Sequence, residues 1–145
     1  MTTTALFRDI VKAFALGDTE QARRLDAQLT AEDRDAFNIF VTAMFFGAVG
    51  HRFENDDSRE AIKAFVDEMR SEYADAQPPL KPLVIEGLIR AAFGEEYFLD
   101  EISPDEQLMF QFPIIHKIVT QSPHMQERLD DYLTDAGRLA AEWSQ

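Results

Sequence analysis

The sequence predicts an all-α fold: a single-domain antiparallel helical bundle of about seven helices with a buried third helix at its centre. Three observations carry this expectation. Apolar residues recur three and four apart along nearly the whole chain, the spacing of one helix face. The alternation rich in Val, Ile and Thr, joined by two-residue turns, that marks a sheet is absent. Ser, Thr or Asp caps, first-turn prolines and single glycines punctuate the chain at short intervals, so the connections are short and sequential helices should pack antiparallel.

The chain of 145 residues has the length of one domain, taken as 1–145. A domain of that length buries roughly two-thirds of its unfolded surface. Apolar residues at 46%, with 12 Phe among them, supply the material for a core. The first helix is expected from about Thr4 to Leu16, with Leu6, Phe7, Ile10, Val11 and Phe14 inward, and Gly17 stops it because glycine enters the left-handed C-cap without steric cost. Asp18 caps a second helix, Thr19 to Leu29, with Gln21 placed to close a capping box. Thr30 caps a third, about Ala31 to Phe53, with Asp33 near its first amides. Its Phe37, Ile39, Phe40, Val41, Met44, Phe45, Phe46 and Val49 cover most of the circumference, which places it at the centre of the bundle.

The Asn55–Ser58 loop leads to a fourth helix, ending near Ala76, with Ile62, Phe65, Val66, Met69 and Tyr73 on one face. Pro78 and Pro79 make the next connection stiff. A fifth helix runs from about Lys81 to Phe93, with Glu86 and Arg90 spaced for an i,i+4 pair, and Gly94 ends it. Ser103-Pro104-Asp105-Glu106 is a cap, a first-turn proline and an acid in series; it starts a sixth helix to about Thr120, which Pro113 should kink or split. Ser122-Pro123 repeats the signal, and a last helix reaches about Trp143, whose ring should anchor it. Leu16 to Ala22 resembles the inter-helix turn of a tetratricopeptide hairpin. One copy does not build a solenoid, so no family follows from it.

Charge narrows function. Lys and Arg number 14 against 27 Asp and Glu, a net charge of −13. Such a surface repels phosphate backbones and anionic membranes, so neither nucleic acid nor a membrane is an expected partner. The absence of cysteine removes disulfides, thiolate nucleophiles and zinc–thiolate sites. Residues 1–9 lack the basic region and apolar run of a signal peptide, and the uncharged stretch 36–50 is shorter than the ~20 residues of a membrane span, so a cytoplasmic location is expected.

Chemistry is weakly signposted. His51 precedes Glu54, and His124 precedes Glu127, by one helical turn. Two such pairs would make a bundle metal site if they converged, but carboxylate-bridged bundles use Glu-x-x-His with further inward glutamates. No metal, cofactor or catalytic residue is assigned. No serine lies in a Gly-x-Ser-x-Gly elbow, and no glycine loop cradles phosphate. Arg52 is expected to pair with Glu54 or Asp56 across the loop.

The segment between Arg90 and Lys117 contains no Lys or Arg. It offers Glu95, Glu96, Tyr97, Phe98, Asp100, Glu101, Asp105 and Glu106 as a candidate partner-binding face, because carboxylates pair with Arg and Lys while rings stack on guanidinium. The leading functional expectation is a non-enzymatic module, an adaptor, inhibitor or regulatory partner of a protein with a basic surface. The alternatives are a small-molecule-binding helical domain with an apolar pocket among the third, fifth and sixth helices, and a metal-dependent enzyme. A homodimer through the third helix, with Gly47 and Gly50 permitting close approach, is compatible with each.

Overall fold

The computed structural model describes residues 3–76 and 79–144, and of Tyr97 the backbone only. Pro78, half of the stiff connection expected from the sequence, lies outside the described residues. The fold is all-α: eight α-helices and no strand among the described residues. They are α1 (Thr3–Ala15), α2 (Thr19–Asp26), α3 (Arg34–Arg52), α4 (Arg59–Glu72), α5 (Pro82–Ala92), α6 (Pro104–Gln121), α7 (Pro123–Glu127) and α8 (Leu129–Trp143), with 3-10 segments at Ala31–Asp33 and Glu96–Glu101. None of them is long and apolar enough to cross a membrane.

Local chemistry sets the helix starts. The side chains of Asp18, Ser58, Ser103 and Ser122 each accept from the amide three residues on, at 3.1–3.2 Å, satisfying donors a helix N-terminus leaves open. Thr30 and Asp33 bond reciprocally, Asp33 Oδ2 accepting from Thr30 N at 3.2 Å, and close a capping box ahead of α3. Gly17 ends α1 at φ 83°, and a Cβ there would stand 3.1 Å from the His116 ring of α6, so conformation and space both require glycine.

Helix α3 is the centre of the bundle. It packs against α8 and α6, with further contacts to α5 and α1. Phe37, Phe40, Val41, Met44, Phe45, Ala48 and Val49 are buried, while Gly47 and Gly50 face solvent. One continuous core joins its rings to those of its neighbours: Phe7 to Phe37 at 5.4 Å edge-on, and Phe53 to Phe65 at 5.6 Å.

Three boundaries differ from the sequence expectation. Helix α2 stops at Asp26, where Arg34 grips its carboxylate bidentately at 2.9 and 3.1 Å, and the turn that follows brings Leu29 into the core. Pro113 sits inside an unbroken α6; the carbonyl it leaves without a helical donor is that of Met109, an exposed residue whose backbone water can reach. The last helix divides at Arg128 (φ −109°, ψ 23°), and the bonds Arg128 N to His124 O and Tyr132 N to Arg128 O hold across the bend. No glycine or proline marks that division.

Two buried cations link elements. Lys117 of α6, 2% exposed, bonds Glu68 at 3.0 Å and Glu72, both of α4, and lies over the Phe65 ring at 5.4 Å. The bond from Lys117 holds the Glu68 carboxyl below the usual carboxylate range, against an opposing push from partial burial. Arg90 of α5 forks onto Glu95 with two bonds of 2.8 Å and stacks on Phe98 at 4.7 Å; it turns to Glu95 instead of Glu86 one turn earlier. Arg52 lies 5.4 Å from the centres of both the Phe53 and Phe65 rings, where the sequence suggested a loop ion pair with Glu54 or Asp56.

Candidate functional site

The candidate face is built on α5. Gly87 lets the 3-10 segment Glu96–Glu101 lie directly on that helix: a Cβ at Gly87 would stand 3.3 Å from the Phe98 Cβ and 3.7 Å from Ile102 Cδ1. Phe98 and Leu99 are half-buried and Ile102 is buried, so the apolar side of the segment faces inward. Ser103 then caps α6, whose first turn carries Asp105 and Glu106.

This arrangement divides the eight predicted residues. Glu95 is committed to Arg90 and Glu106 to Lys81, at 2.9 Å. Phe98 lies under the Arg90 guanidinium. The Tyr97 side chain lies outside the described residues. Glu96, Asp100, Glu101 and Asp105 point to solvent, and none of the four takes part in an ion pair among the described residues. The other rings of the stretch are mostly turned in: Phe110 is buried, Phe112 packs 4.2 Å from Phe14, and Phe93 is 38% exposed with its ring edge-on to Phe53 at 6.1 Å. The surface is therefore acidic at its centre, with one partly exposed ring at its edge.

The histidines that framed the metal alternative do meet. His51, at the end of α3, and His124, in α7, stack with ring centres 5.2 Å apart and planes within 19°. His51 Nε2 lies 2.9 Å from Ser122 Oγ, and its Nδ1 lies 3.4 Å from the Tyr132 hydroxyl. In the neutral ring both contacts are satisfied when Ser122 donates to Nε2 and Nδ1–H donates to the Tyr132 oxygen. Burial, and Glu54 nearby, push the Tyr132 phenol above its ordinary value, so it stays protonated. Parallel rings present faces to each other and do not aim lone pairs at a common point. Among the described residues no group of three or more His, Asp or Glu is placed to hold a metal ion. The cluster joins the end of α3 to the α6–α7 joint and to α8. His116 stands apart, with Nδ1 bonded to the Ala15 carbonyl at 2.9 Å.

No family model matches this chain, and no curated protein or solved structure matches it either. The site's own geometry is the ground for function.

One cleft between helices matters for the small-molecule alternative. It holds about 200 Å³ and is lined by residues of α3, α6 and α8, with Asn38, Thr42, Gln107 and Gln111 among them and Trp143 at one side. It is smaller and more polar than the apolar chamber that twelve phenylalanines suggest, because those rings interlock with one another. The sequence carried a signal for it, the polar residues Asn38, Thr42 and Gln111 within apolar stretches, but nothing local shows that they face one another.

Proposed function

We propose that this protein is a non-enzymatic interaction module that receives a basic surface of a partner protein on the face made by Glu96, Asp100, Glu101 and Asp105. The observation that carries this reading is how those carboxylates are held. The Arg90–Glu95 fork and the close approach at Gly87 fasten the 3-10 segment to α5, so four acids project from an anchored support. A pre-ordered support lowers the entropy lost on binding. The net charge of −13 adds long-range attraction for a basic partner and repulsion of phosphate backbones and anionic membranes.

The test is a pull-down at low and high salt, about 0.05 M and ~1 M, where the Debye length falls from above 10 Å to about 3 Å. It uses the wild type, a Glu96→Lys/Asp100→Lys/Glu101→Lys variant and a control with the exposed acids Glu20, Glu32 and Asp35 changed to Lys. A basic protein retained by the wild type and the control at low salt, and lost both at high salt and from the first variant, is the expected result. Equal loss from both variants, or equal retention by both, refutes the assignment of this face.

A further inference from the structure

We propose that the cleft between α3 and α6 is a binding site for a small, uncharged, single-ring molecule that carries an N–H donor, such as an aromatic amide or an amino-substituted heterocycle. This is independent of the acidic face. It begins from a polar imbalance. Asn38 Oδ1 is buried and has no hydrogen-bond partner among the described residues. Such atoms are rare in folded proteins because each one unmade costs the desolvation of the group.

Its neighbours deepen the imbalance. The Thr42 hydroxyl has one proton, yet two oxygens lie within its reach: the Asn38 carbonyl at 3.0 Å and Gln111 Oε1 at 3.3 Å. Gln111 is 97% removed from solvent, being 3% exposed. Gln107 donates its Nε2 to the Ile102 carbonyl at 3.0 Å, which leaves its oxygen as a further acceptor. Turning the Gln111 amide over would place its NH2 on the Thr42 oxygen and release Oε1, so acceptors exceed donors in either orientation. A ligand that completes this site supplies donors.

Size, charge and shape define the rest. About 200 Å³ exceeds the ~150 Å³ cavity that holds benzene and falls short of the ~300 Å³ at which drug-sized sites begin. That admits one ring with a small substituent. The lining residues Asn38, Ile39, Thr42, Pro104, Gln107, Leu108, Gln111 and Trp143 are all uncharged in a chain where 28% of residues are charged, so no cation is present to receive an anion. Trp143 is 42% exposed, with its ring set edge-on against Phe46 at 5.2 Å, and it offers a face for stacking at the mouth.

Trp143 is the one tryptophan of the chain, so its emission reports occupancy. The full chain is titrated with benzamide and 2-aminopyrimidine, with toluene as the ring without a donor and benzoate as the anion. Trp143 fluorescence and the side-chain amide resonances of Asn38 and Gln111 are followed together. Benzamide or 2-aminopyrimidine is expected to shift all three signals and to bind about tenfold more tightly than toluene, the ratio that one net hydrogen bond provides; benzoate is expected not to bind. Asn38→Leu is expected to erase the preference over toluene and to raise Tm, because it removes the unpaired oxygen. If Asn38→Leu does not fold, Asn38→Ala carries the same readout. Toluene binding as tightly as the donors, a preference that survives the Asn38 substitution, or no movement of the Asn38 and Gln111 resonances with either donor overturns the proposal.

Discussion

Removing the charges around Lys117 should cost more than removing Lys117 itself. The ammonium is nearly inaccessible, with 1% of its side chain exposed, whereas the side chains of Glu68 and Glu72 are 46% and 45% exposed. In Lys117→Met the desolvated cation is gone and both carboxylates regain water, so the change should stay within about 1 kcal/mol of wild type. In Glu68→Gln/Glu72→Gln the lysine keeps its place without a counter-charge. A buried charge deprived of its partner costs about 3–5 kcal/mol, and the Phe65 face under the ammonium offsets about 1 kcal/mol of it, leaving roughly 2–4 kcal/mol. Domains of this kind have about 5–15 kcal/mol in all, so the double variant should unfold at visibly lower denaturant. Urea unfolding at neutral pH, followed by far-UV circular dichroism and Trp143 emission, measures both. A Lys117→Met loss equal to or larger than that of the double variant would refute the reasoning, since it would show that the ion cluster stabilises the fold beyond its desolvation cost.

Three further outcomes follow from the same structure. Gly17→Ala should destabilise by more than Gly94→Ala: both glycines have positive φ, at 83° and 100°, but only Gly17 faces a neighbour, the His116 ring, and the pair of urea midpoints separates backbone strain of about 1 kcal/mol from the contact. Glu68 has a folded-state pKa below its unfolded value, so its contribution is present above the unfolded value of 4.5 and is lost as pH falls below it; wild type should lose stability between neutral pH and the acid range more steeply than Glu68→Gln, and parallel pH profiles would contradict this. Gly87→Ala should push Phe98 off α5, costing about 1–3 kcal/mol and speeding amide exchange across Glu96–Glu101, whereas unchanged exchange there would show that the segment is not held by that contact.

Much of the fold was legible because its signals are local. A serine or aspartate ahead of a helix can bond only amides within three residues, so Asp18, Ser58, Ser103 and Ser122 act where the sequence places them. The third helix announced its centrality by its apolar circumference, and α3 is indeed packed on α6, α8, α5 and α1. Pro113 misled in part, because proline removes one bond and the decision to break depends on whether water reaches the carbonyl left behind. The bend at Arg128 carried no signal at all. In the candidate face, the acids were visible but not their allegiance: Glu95 belongs to Arg90 and Glu106 to Lys81, and only Glu96, Asp100, Glu101 and Asp105 remain outward.

By itself, then, the sequence determined the all-α class, the helix starts, the central third helix and the sign of the surface, since each depends on spacing or composition along a few neighbouring residues. Tertiary structure alone decided which charges are neutralised and which polar groups meet. His51 finds Ser122, His124 and Tyr132 more than seventy residues away. Lys117 finds Glu68 and Glu72, and Asn38 shares a cleft with Gln111. A side chain carries no record of its partner when contact depends on the angle between helices rather than on position within one. For that reason the acidic character of this protein was readable in its residues, and the uncharged cleft beside Trp143 was not.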